Sequence, residues 1–122
     1  MASPARLRLS RPNRITQGRD FAKIKVAGKR LNAGCVAINY LVLEPGATSR
    51  LGVITSRKIG NAVVRARARR LLRESFRLHQ HHFLRPAELV LVARISIAGK
   101  CFAEVEKDFL QGLSRAGLLK SA

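Results

Sequence analysis

Hydrophobic positions along the chain fall into stretches that differ in period. Phe21, Ile24 and Ala27 recur at intervals of three, after Thr16 and before Gly28. That predicts a short helix with one apolar face, a side-chain N-cap and a terminating glycine. From Cys35 to Leu43 the period becomes two: Val36, Ile38, Tyr40 and Val42 alternate with Cys35, Ala37, Asn39, Leu41 and Leu43, and Glu44-Pro45-Gly46 follows. A strand buried on one or both faces and closed by a turn is expected there. A second strand is expected from about Leu51 to Ser56, after a hairpin-length loop. Leu89 to Ala93 is an unbroken apolar run inside Glu88–Arg94, entered at Pro86, as in a strand covered on both sides. Phe102, Val105, Phe109 and Leu113 return to helical spacing up to Arg115. Glu104, Glu106 and Asp108 lie near the end of that helix where the backbone dipole favours negative charge. There is no internal repeat.

Between the second and the last strand the period is helical again, from Asn61 to about Leu78. At 100° per residue with Val64 at zero, Leu78, Leu71, Ser75, Ala68 and Leu72 occupy an arc from about −40° to +80°, the expected core face. Arg69, Arg73, Ala66, Arg77 and Arg70 lie between about 140° and 240°, and Arg65 and Arg67 flank the apolar stripe. The result is a continuous arginine face. Solvated helical surfaces interleave both signs so that side chains one turn apart can pair, whereas Glu74 is the only carboxylate of this segment. Asn61 has the chemistry of an N-cap. The open amides behind it, with Arg57 and Lys58 just upstream, make an anion-receptive helix end.

Composition sets the class of partner. A chain of 122 residues is one domain with a real core, and 47% hydrophobic content excludes wholesale disorder. Lys and Arg number 24 against 7 Asp and Glu, a formal net charge of +17, and a polyanion relieves such self-repulsion. Residues 1–87 carry 19 basic and 3 acidic side chains, and residues 88–122 carry 5 and 4. The partner is therefore expected to meet the first two-thirds of the chain, and nucleic acid leads. Arg outnumbers Lys 17 to 7, which favours planar contacts to phosphates and bases. Cys35 and Cys101 are far apart without a ligand cluster and are expected as buried thiols in a reducing cytoplasm. The longest apolar run, Cys35–Leu43, is interrupted by Asn39 and falls far short of a bilayer span, so no membrane is expected. The acid-free start bearing Arg6, Arg8, Arg11 and Arg14 fits a transit-like segment without an apolar core, a solvated tail, or a basic RNA-contacting arm. The expected organisation is one nucleic-acid-binding domain over 1–122, with an arm at 1–14 and a tail at 116–122.

Chemistry within the protein itself is not expected. His79, His81 and His82 have no Cys or acidic neighbour in sequence and are expected as a helix-end surface cluster, because metal ligands must converge and be oriented. Glu104 and Asp108 are explained by the helix dipole. No glycine-rich phosphate loop, nucleophile elbow or zinc spacing is present. No catalytic and no metal-ligating residue is therefore assigned.

The segment Ser56-Arg57-Lys58-Ile59-Gly60-Asn61-Ala62-Val63-Val64-Arg65-Ala66-Arg67-Ala68-Arg69-Arg70-Leu71-Leu72-Arg73-Glu74-Ser75-Phe76-Arg77 resembles the signature of the bacterial ribonuclease P protein family. The likeness runs in register from Arg14-Ile15 through Asp20-Phe21 and Gly28-Lys29-Arg30 to Leu89-Val90-Leu91-Val92-Ala93-Arg94. It implies an α+β fold, a small α/β sandwich in the order helix, three strands, helix, strand, helix. A left-handed βαβ crossover is implied with it, as in the second domain of ribosomal protein S5, and so is a short strand near Lys29–Asn32. It further implies that a large RNA subunit, with Mg²⁺ held by that RNA, cleaves the 5′ leader from precursor tRNA in the cytoplasm. The protein would be a subunit of that endoribonuclease, binding the catalytic RNA and the leader without an obligate protein partner. By this resemblance Arg65, Arg67, Arg69, Arg70 and Arg73, with Arg57, Lys58 and Asn61 at the helix start, are RNA contacts, and Phe21, Lys25 and Asn39 are leader contacts.

Two departures stand out. Ala66 occupies the place of an Asn in the family's Arg-Asn-Arg motif, and Lys25 and Asn39 occupy positions where aromatics are usual. Stacking is worth roughly 1–3 kcal/mol per base, so leader binding should lean more on charge. Tyr40, of opposite parity to Asn39, is expected in the core. The alternatives are a ribosomal-protein-like structural RNA binder and a DNA-binding helix. Against the latter stands the near absence of Asn or Gln on the arginine face, which base readout would use.

Overall fold

The computed structural model describes residues 14–15 and 18–119. The chain forms α1 (Gly18–Ala27), β1 (Lys29–Ala33), β2 (Val36–Val42), β3 (Arg50–Ile54), α2 (Ala62–His79), β4 (Ala87–Ala93) and α3 (Phe102–Arg115), with single 3₁₀ turns at Arg57–Ile59 and Ile95–Ile97. The element order is the expected one. The strands lie in the order β1-β2-β4-β3, antiparallel except for the parallel β3–β4 pair. Parallel neighbours need a crossover connection, and α2 supplies it.

Alternation sends each strand residue to one of two sides. Leu89 and Leu91 of β4, with Val36, Ile38 and Leu51, meet Leu72 and Phe76 of α2 and Val105, Phe109 and Leu113 of α3 in the main core. The other parity is Val90 with half-buried Leu41 and Val92, which form a smaller core with Ile15, Ile24 and Phe21 beneath α1. β4 is thus covered on both sides, as its unbroken apolar run predicts. On the α1 side, Glu88 of β4 is 6% exposed and pairs with Arg50, its cross-strand neighbour on β3.

Several local expectations are corrected. In α1, Ile24 is buried and Phe21 half-buried, but Ala27 is exposed, so the apolar face is narrower than the spacing suggested. The expected N-cap, Thr16, lies outside the described residues. Gly28 follows the end of α1 at Ala27 as expected, but it is not a left-handed cap: a Cβ there would stand 2.4 Å from the Tyr40 carbonyl oxygen and 2.6 Å from that of Ile24, so close approach requires the glycine. In α2 the buried residues are Ala68, Leu72, Ser75 and Phe76, while Val64, Leu71 and Leu78 are half-buried. The buried arc is rotated toward Phe76, which lies near 120° on the helical wheel and meets Phe83 edge-on at 5.7 Å.

Cys101 is exposed, against expectation, because it occupies the N-cap position of α3. Its amide donates to the Glu104 carboxylate at 3.1 Å, which holds that carboxyl below its usual range. Cys35 is buried as expected, and burial, with the Asp108 carboxylate beside it, pushes its thiol up to about 12. A thiol so raised stays protonated and unreactive near neutrality. Cys101 should therefore react with a thiol reagent in the native protein at pH 8 and Cys35 only after unfolding. Two equivalents of fast native reaction would contradict the buried placement of Cys35.

Asp108 has more than a dipolar role: its Oδ2 accepts from the Cys35 amide at 3.0 Å and latches the β1–β2 turn to α3. From Ala116 to Leu119 the chain stays in the fold, with Leu118 buried and its carbonyl accepting from the Leu84 amide at 2.8 Å.

Candidate nucleic-acid interface

The start of α2 is built as its sequence suggests. Asn61 Oδ1 accepts from the Val64 amide at 3.0 Å, and the first turn carries no acid. Arg57 and Lys58 are exposed on the 3₁₀ turn just before it. The remaining amides of that turn and the positive end of the helix dipole face the same region as these two cations.

Along the helix the arginines divide by environment. Arg70 and Arg73 are exposed, and Arg65 and Arg67 are half-buried at its flanks; none of the four has a hydrogen bond or ion pair among the described residues. Arg69 differs, since its Nη1 donates to Thr55 Oγ1 at 2.7 Å and staples the helix to the chain leaving β3. Arg77 pairs with Glu74 one turn away. Ala66 is exposed in the middle of the face. A hollow bounded by Arg70, Arg73, Arg77 and Glu74 also includes Arg14, which is tied to the β3 edge through a bridge to Leu51.

The second surface is the α1 side of the sheet. Pairing places Gly52, Val90, Asn39 and Arg30 in one row across β3, β4, β2 and β1. Phe21 lies against Gly52 at one end of that row, and half-buried Asn39 stands in the row on β2. Lys25 is exposed on α1. The next row contains Val92 and Ile54, the latter 40% exposed, an apolar floor open to solvent. Tyr40 turns to the opposite side and packs on the main core, as its parity predicts.

Arg30, Lys58 and Arg94, with Ser56, Ile95 and Ser96, line a hollow between this sheet face and the start of α2. Arg94 Nη1 donates to the Gly34 carbonyl at 3.3 Å. The structure therefore joins the two candidate surfaces through Lys58, an expected RNA contact, and through Arg30 and Arg94, two cations that the sequence does not place at the site. Arg30 was legible in principle: once β1 is placed, its register opposite Asn39 fixes its side of the sheet.

The histidines are corrected in one respect. His79 does have an acidic neighbour, since its Nε2 lies 2.8 Å from Glu106 Oε2 on α3, and its Nδ1 lies 3.2 Å from Nδ1 of His82. The arrangement pins the end of α2 to α3. No group of three potential metal ligands converges among the described residues, and no described helix is long and apolar enough to cross a membrane.

The fold and its surfaces define a class, a small basic α+β domain whose crossover helix and adjoining sheet face converge on one cationic region. Residues 9–117 match the family model for ribonuclease P, and the chain belongs to the ribonuclease P protein family. It is 37% identical over 110 residues to the ribonuclease P protein component of Syntrophomonas wolfei, covering 90% of this chain and 92% of that protein. Identity to the component from Clostridium acetobutylicum is 32% over 111 residues, covering 88% and 91%. The RNase P protein of Staphylococcus aureus superimposes with a TM-score of 0.80 at 24% identity, over 88% of this chain and 98% of that one. The Thermotoga maritima protein gives 0.74 at 27% identity, over 84% and 96%. Membership makes the chain part of a tRNA-processing endonuclease ribonucleoprotein, with the ribonuclease P RNA as its partner.

Proposed function

We propose that the arginine face of α2 docks on the catalytic RNA, that the sheet face beside α1 receives the 5′ leader of precursor tRNA, and that the RNA subunit performs the Mg²⁺-dependent cleavage. The observation that carries this reading is the continuity of cations. Arg70 and Arg73 stand without a protein partner among the described residues, and the hollow of Lys58, Arg94 and Arg30 leads from the start of α2 to the row that holds Asn39 and Phe21. Phosphates would meet Lys25, Arg30 and Lys58, and one base would stack on Phe21.

Catalysis by the protein has little to draw on, because five of its seven carboxylates are engaged elsewhere. Glu74 pairs with Arg77, Glu88 with Arg50 and Glu106 with His79, while Glu104 and Asp108 accept from backbone amides. These groups do not form a site for Mg²⁺, so the ion belongs to the RNA in this reading and no step passes through a protein-held metal. The proposed setting is the cytoplasm, in keeping with two unpaired cysteines, and no other protein is required.

Reconstitution with a bacterial ribonuclease P RNA at low Mg²⁺ tests the proposal. The protein should raise cleavage of precursor tRNA, and the assembled complex should bind precursor tRNA more tightly than mature tRNA. Absence of stimulation at every salt concentration would overturn the assignment. Stimulation with equal affinity for the two tRNAs would leave a structural RNA binder without leader recognition.

A further inference from the structure

Gly52 lies in the interior of β3, paired with Val90, and its backbone is not in the left-handed region. Conformation therefore gives no reason for a glycine there, and a glycine inside a strand weakens it by leaving nothing to pack. The reason is spatial. A Cβ on Gly52 would stand 2.6 Å from Cε1 and 2.9 Å from Cζ of Phe21, and 3.3 Å from Cβ of Ile15. The Phe21 ring thus rests directly on the β3 backbone, an aromatic covering a strand glycine. The ring is held from two sides, by α1 through its own backbone and by β3 through the missing side chain.

The same row continues through Val90 to Asn39 and Arg30, about three strand spacings, roughly 14 Å, across the sheet. Whatever lies along that row meets an aromatic at one end and polar and cationic groups at the other. The level of the ring over the sheet sets whether one strand of RNA can touch both ends.

We propose that Gly52 is a positioning residue for leader recognition: by having no side chain it seats Phe21 low on β3, and a side chain there lifts the ring out of the level of Asn39 and Arg30. The inference rests on the leader reading above. It is tested in the reconstituted holoenzyme with Gly52→Ala, Phe21→Ala and the double variant, using precursor and mature tRNA, together with thermal melting of each protein.

Gly52→Ala should weaken precursor binding roughly tenfold, within the range of one lost stack, and leave mature tRNA binding unchanged. It should add nothing to the loss already present in Phe21→Ala. In melting, the two substitutions should be coupled: removing the ring from the Gly52→Ala protein should raise its midpoint, because the clash goes with the ring. The proposal is overturned if Gly52→Ala binds precursor like the parent, if it loses both tRNAs equally, or if its effects on binding and melting simply add to those of Phe21→Ala. Should Gly52→Ala be too unstable to assemble, the midpoint of the double variant decides, a further fall refuting the ring contact. A parent holoenzyme with no preference for precursor would sink the leader reading instead, while the melting coupling would still report on the contact.

Discussion

With Arg70 and Arg73 both replaced by alanine, binding to the ribonuclease P RNA should weaken by about 100-fold at low salt, and the slope of log affinity against log salt should become shallower by about 2. Each side chain is exposed on the outer face of α2 without a protein partner among the described residues, so its charge is available for a phosphate. One charge-assisted hydrogen bond contributes about 1.5 kcal/mol or more, and two of them about 3 kcal/mol. The fold uses neither guanidinium, so thermal stability should move by less than about 0.5 kcal/mol. Arg69→Ala is the internal contrast. Its guanidinium is committed to Thr55, so its loss should change the salt slope less and stability more. A salt series of binding isotherms decides, and an unchanged slope in the double variant would remove both residues from the interface.

That contrast marks how far the sequence could be read. Wheel geometry placed Arg69 and Arg73 together, because 100° per residue is all that sequence spacing supplies. The bond to Thr55 depends on how the end of β3 passes beside α2, a tertiary fact with no local signature. The same limit explains Phe76, left outside the expected core arc although it is fully buried. The arc was centred on aliphatic spacing, whereas the partner that draws Phe76 inward is Phe83, on the loop after the helix.

Strongly periodic elements were legible to within a residue or two. α3 covers Phe102–Arg115, and the unbroken apolar run Leu89–Ala93 lies inside β4, which begins two residues earlier at Ala87. β1 was not legible from pattern, since Lys-Arg-Leu-Asn-Ala offers only Leu31 and Ala33 as apolar positions, and it entered only through family resemblance. With β1 unplaced by pattern, Arg30 had no side of the sheet, and the cationic hollow could not be assembled. Gly52 was equally silent, because a glycine in a strand does not say which ring covers it.

Phe76→Ala should separate the fold from the interface. The side chain is fully buried between α2 and the sheet, and its truncation costs about 3–5 kcal/mol in lost transfer energy and cavity. The edge-on contact with Phe83 disappears with it. Against a total stability of about 5–15 kcal/mol for a domain of this kind, the melting midpoint should fall by about 15 °C. None of the arginines is touched, so the folded fraction should bind RNA with the parental salt slope. Because RNA binds only the folded state in this scheme, a hundredfold excess over its dissociation constant restores about 2.7 kcal/mol. The Phe76→Ala protein should therefore regain much of its midpoint when RNA is added at low salt. The Arg70/Arg73 double variant, which starts from a parental midpoint, should gain much less from the same RNA. If Phe76→Ala instead flattens the salt slope as the arginine substitutions do, the core side of α2 is not independent of its RNA side, and the arginine face is held in register by packing at Phe76.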